Sequence, residues 1–101
     1  MRLSTFERDA LKQAAQASFE PGVVVRLFGS RVQDDQRGGD IDLLIETGLS
    51  DPARIAQAHT RFLTLVYSRL GEQKVDVLID YPAREQRPAI FELARQQGVL
   101  L

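Results

Sequence analysis

The residue types that could do chemistry in this chain are three aspartates and one small-residue turn: Asp40 and Asp42, Asp76, and Gly29-Ser30. Asp40 and Asp42 lie in Asp40-Ile41-Asp42-Leu43-Leu44-Ile45-Glu46, a run with strand character. Residues two apart in an extended strand project from one face, so the two carboxylates stand side by side. Anions that close repel each other unless a cation lies between them. Hard divalent ions such as Mg²⁺ take oxygen clusters of this kind, with phosphate oxygens completing the shell. Gly29-Ser30 closes an apolar run, Val23 to Phe28, and lets backbone N–H groups and a hydroxyl come close to a phosphate. Asp76 sits inside a third apolar strand, Lys74 to Asp80, where an unpaired carboxylate is costly to bury. It therefore needs a cation or hydrogen-bond donors nearby. Asp80, before Tyr81-Pro82, is expected to be an exposed turn residue.

The elements that must position these groups follow from capping and periodicity. Ser4-Thr5-Phe6-Glu7 reads as a capping box that opens a helix to about Ser18, with Phe6, Ala10, Ala14 and Ala17 on one face. Pro21-Gly22 turns the chain into the first strand. Arg31 to Gly39 is polar and predicts a short helical turn followed by a loop. Asp51-Pro52 opens a second helix along Ile55, His59, Phe62, Val66 and Leu70, closed by Gly71. His59, the single histidine, lies on that apolar stripe without a partner at ligand spacing, and stays out of the site. Pro88 starts a third helix through Ile90, Phe91 and Ala94, ended by Gly98. Val99-Leu100-Leu101 is an apolar tail, either docked on the core or exposed for a partner.

A chain of 101 residues predicts one domain over 1–101. With 44% hydrophobic and 27% charged residues it falls in the globular range. No apolar run reaches membrane-spanning length, and the first residues lack the core of a signal peptide. The absence of cysteine excludes disulfides, thiolate zinc sites and cysteine nucleophiles. A cytoplasmic location without membrane attachment is the expectation. Thirteen basic against fourteen acidic residues give no field to draw in a polyanion, so direct nucleic-acid binding is not expected.

Gly29-Ser30, nine intervening residues, then Asp40-x-Asp42 on a strand, resembles the nucleotidyltransferase superfamily that includes polymerase β. Asp76 matches the third carboxylate that completes such sites, and the resemblance spans roughly residues 23 to 80. The chain departs from the family pattern at Asp34, where a glycine is common, and at Gly39, where serine is common. The resemblance implies an α/β fold of two layers: a small mixed sheet backed by helices on one face, its open face carrying Asp40, Asp42 and Asp76. It also implies Mg²⁺-dependent transfer of a nucleotide from ATP to a hydroxyl. Asp40, Asp42 and Asp76 would be the catalytic and metal-holding residues, with Gly29 and Ser30, helped by Arg31, as the phosphate holders.

In size the chain is similar to the stand-alone minimal nucleotidyltransferases, which pair as antitoxins with small all-helical HEPN toxins. That similarity implies AMP transfer to a tyrosine of the partner toxin, within a hetero-oligomer. Two other readings stay open. One is an antitoxin of the same fold that neutralises its partner by contact without catalysis. The other is an enzyme acting on a small molecule, whose acceptor-binding domain is a separate subunit.

Overall fold

The computed structural model describes residues 1–33 and 39–101. Helix α1, Thr5–Ser18, begins where Ser4 Oγ accepts from Glu7 N and Glu7 Oε1 accepts from Ser4 N, both at 3.0 Å. This reciprocal pair satisfies two of the backbone donors that a helix start leaves open. The face that α1 buries is Ala10, Leu11, Ala14 and Ala15, not the expected stripe of Phe6, Ala10, Ala14 and Ala17. Turning the helix this way puts Leu11 in the core and lets the alanines bring α1 close to its neighbours. Phe6, in the first turn, remains 57% exposed, with the Arg69 guanidinium 5.8 Å from its ring. The burial of Leu11 outweighs that of an end residue.

Strand β1 is Val24–Phe28, β2 is Ile41–Glu46 and β3 is Val75–Asp80. Between β2 and β3 runs helix α2, Pro52–Leu70, capped by Asp51, whose carboxylate accepts from Ala53 N at 3.1 Å. Helix α3 is Ala89–Gln97, and β4 is the short pair Val99–Leu100. The sheet order is β3-β2-β1-β4. β1 runs antiparallel to β2 and to β4, while β2 and β3 are parallel. The helical crossover through α2 makes that parallel pairing possible.

Alternation along the strands builds two apolar layers. Val25, Leu27, Ile41, Leu43, Ile45 and Val75 pack against Leu11, Ala14 and Ala15 of α1 and Ala58, Phe62 and Val66 of α2. Phe62 is fully buried against Phe19, ring centroids 6.4 Å apart, and a side chain of that size contributes about 1.5–3 kcal/mol by burial. Leu44 points the other way, where Phe91 and Ala94 of α3 cover it beside Phe28 and Leu78. Helices on one face alone is therefore corrected: α3 lies on the second. The cause is in β2 itself. Leu43, Leu44 and Ile45 are all buried, and three consecutive apolar residues in a strand demand cover on both faces.

The tail also resolves. Val99 and Leu100 pair with Leu27 and Arg26, Leu101 N donates to Val25 O at 2.9 Å, and the Leu101 side chain joins the core. Leu100 is 56% exposed. Among the described residues, no helix is long and apolar enough to cross a membrane.

Candidate functional site

The last residue of β1 is the register partner of Asp42, and Asp42 in turn pairs with Asp76 across the parallel strands. Phe28, Asp42 and Asp76 thus form one row across three strands, and Asp40 lies just before β2 begins. Asp42, Leu44 and Glu46 share the face that α3 partly covers. Asp42 is half-buried, whereas Asp76 is exposed on edge strand β3.

The chain leaves β1 through a single 3-10 turn, Gly29–Val32, which starts at Gly29 itself and so earlier than the helical turn expected within Arg31 to Gly39. Gly29 has φ +78°, a conformation strained for any L side chain, and a Cβ there would run into the Asp42 carboxylate. Only glycine lets the turn pass this close to the acid. Gly39, at φ +95°, is likewise set against Ser30 Oγ, so the loop returns to β2 over the turn it left. The expectations for Asp34 to Gly38 lie outside the described residues.

Two arginines hold the turn. Arg2, which nothing in the motif spacing singled out, donates from Nη2 to Ser30 O and from Nε to Gln33 O, both at 2.8 Å. Its backbone N donates to Arg31 O at 2.7 Å. Arg31 donates from Nη1 to Arg2 O at 3.0 Å and from Nε to Gly39 O at 3.2 Å. These bonds make Arg31 a strap across the loop, using two of a guanidinium's five N–H donors. They also bring two positive charges to the turn, which favours an anion there. Beside it lies a depression of about 290 Å³ lined by Gly29, Ser30, Val32, Gln33 and Gln97, near the lower end for small-ligand sites.

Burial pushes the Asp42 carboxyl above its ordinary range, and the negative charges of Asp76 and then Asp40 push it further, with Lys74 opposing. Lys74 Nζ is 3.4 Å from Asp40 Oδ2. That hydrogen bond, with the field of Asp40, Asp76 and Asp42, holds the Lys74 ammonium above the usual lysine range. Sequence reasoning passed over Lys74, although its place two residues before Asp76 sets it on the same face.

The donor chemistry, hard carboxylates beside a glycine cradle, fits a divalent cation such as Mg²⁺. The carboxylates interact electrostatically, yet among the described residues no three His, Cys, Asp or Glu side chains are drawn into a metal cage. Asp40 faces Lys74 instead.

The far end of the same sheet face corrects the expectation for Asp80. Asp80 is 6% exposed, not a solvated turn residue. Arg87 Nε reaches its Oδ1 and Arg95 Nη2 its Oδ2, each at 2.8 Å. Both arginines come from the segment after β3, and the α3 contacts bury the carboxylate beneath them.

Comparison of the chain with protein-family models and with curated proteins finds no match.

Proposed function

We propose that the protein is a Mg²⁺-dependent nucleotidyltransferase of minimal, polymerase β-like fold. In this reading it serves as the antitoxin of a HEPN-type pair, transferring AMP from ATP to a tyrosine hydroxyl of the helical toxin. The observation that carries the catalytic part is the packing of Gly29 against the Asp42 carboxylate, beside the Asp42–Asp76 register pair. The glycine turn and an acidic pair meet at one end of one sheet face, which supports their use as phosphate and metal holders. The antitoxin part rests on the resemblance in motif and size.

Each group then has a task. The Gly29-Ser30 turn, with the positive charge of Arg2 and Arg31 behind it, holds the outer phosphates. Asp40 and Asp42 would hold the metal, which when bound would offset charge on the entering and leaving oxygens. Asp76 stands exposed beside Asp42, so its carboxylate can orient the acceptor hydroxyl and draw off its proton. The acceptor oxygen bonds to the α-phosphorus as the bond to the bridging oxygen breaks, and pyrophosphate leaves.

The test is intact-mass spectrometry of a co-purified helical partner after incubation with ATP and Mg²⁺. One or more AMP units should be added, and none with Asp40→Asn or Asp42→Asn. Asp76→Asn should retain ATP binding and lose turnover, the mark of an interaction made in the transition state. Co-purification with no mass change would favour neutralisation by contact. Neither complex nor modification would favour a small-molecule acceptor.

A further inference from the structure

We propose that Lys74 is the resting counter-cation of the acidic end, a positioning residue that holds Asp40 until a divalent ion takes its place. The inference rests on the metal–nucleotide reading of that end. Its first support is where the backbone puts Lys74. Ile41 N donates to Lys74 O at 3.0 Å, which pins the residue against the start of β2, one position from Asp40. Lys74 also shares its face with Asp76 by strand alternation. Its ammonium contacts Asp40 and is within electrostatic reach of Asp76 and Asp42. Among the described residues, the ion pair made with this group is that of Lys74 with Asp40.

The character of the pair is the second support. At the far end of the sheet face, Arg87 and Arg95 each contact one oxygen of Asp80 at 2.8 Å, and the carboxylate is almost wholly shielded from water. Lys74 meets Asp40 at 3.4 Å, and its side chain is 71% exposed. A compact ammonium on a four-carbon stem can swing away, whereas Asp80 is held at both oxygens by two guanidinium groups, one on each. An exposed pair of this kind is weak and screened by salt. It is strong enough to orient one carboxylate and weak enough to yield it.

The third support is the arrangement of the acids. They influence one another electrostatically but are not gathered into a cage. A cation already pairs with Asp40, so that carboxylate has no reason to close on Asp42. A divalent ion bound by Asp40 and Asp42 would repel the ammonium, and both cannot keep the same oxygen. Once displaced, Lys74 lies at the mouth of a depression of about 430 Å³ that it lines with Tyr67, Glu72 and Gln73. The side chain has space to move into.

The experiment titrates the full-length protein with Mn²⁺ alone and follows free ion by electron paramagnetic resonance. Wild type, Lys74→Met, Lys74→Arg and Asp42→Asn are compared, with melting curves verifying that each is folded. Removing the ammonium should tighten Mn²⁺ binding about two- to fivefold, the scale of one exposed charge pair. Lys74→Arg, which keeps the charge, should stay near wild type. Equal or weaker binding by Lys74→Met, with wild-type binding abolished by Asp42→Asn, would overturn the role of Lys74 and leave the metal site standing. Absence of Mn²⁺ binding in wild type and Lys74→Met, with and without ATP, would overturn the site reading and this inference together.

Discussion

Two acidic pairs lie side by side across β2 and β3 on one side of the sheet: Asp42 with Asp76 and, four residues further along both strands, Glu46 with Asp80. By strand register they are equivalent, but their surroundings are opposite. Arg26 meets Glu46 at 2.8 Å, Arg87 and Arg95 meet Asp80 at 2.8 Å, and Arg95 also approaches Glu46 at 3.7 Å. Among the described residues, Asp42 and Asp76 have the field of Lys74, whose contact is with Asp40. Where the carboxylates are structural, the chain brings its own guanidinium groups and buries the result beneath α3. At the other end repulsion is left in place. On the proposed reading, a bound divalent cation would offset this repulsion.

The strongest way to break this contrast is Asp80→Asn. It leaves Arg87 and Arg95 without their shared anion in a nearly buried position, so stability should fall by about 2–3 kcal/mol, a value reduced for the partial exposure of both arginines. For a domain of this size that lowers the melting temperature by about 10–15 °C. A loss within experimental scatter would show that the far end is no more structural than the near one.

Asp42→Asn should act in the other direction and more weakly. Its raised carboxyl means that the folded chain takes up a proton more readily than the unfolded chain, so the ionised form costs stability at neutral pH. Removing the charge should raise the melting temperature by at most about 4 °C near neutrality, given solvent screening. The advantage should shrink as pH falls through the raised Asp42 range, where wild type becomes protonated and loses the penalty. Scanning calorimetry across that window sharpens the comparison, and a difference independent of pH would dissolve it.

How much of this was legible in the sequence depends on the distance over which each feature is encoded. Asp42 and Asp76 were legible because a period of two places each carboxylate on a known face of an apolar strand. The helix boundaries at Ser4, Asp51, Gly71 and Gly98 were legible because caps are local. Asp80 was misjudged because its partners, Arg87 and Arg95, reach it through tertiary packing that no local pattern records. The face of α1 was misjudged because Phe6 and Leu11 offer competing apolar stripes, and only the sheet below decides between them. The cover provided by α3 was readable in principle from the unbroken run Leu43-Leu44-Ile45. The strap formed by Arg2 and Arg31 was not, since it joins residues 29 positions apart.

The central claim is that the Asp42 end of the sheet face binds a nucleoside triphosphate together with a divalent metal. Isothermal titration of ATP into the protein tests it most directly, in Mg²⁺ and again with chelator, for wild type and Asp42→Asn. The account predicts binding to wild type in Mg²⁺ that is lost with chelator and lost in Asp42→Asn while the fold is retained. Equal ATP affinity with and without Mg²⁺ would contradict it.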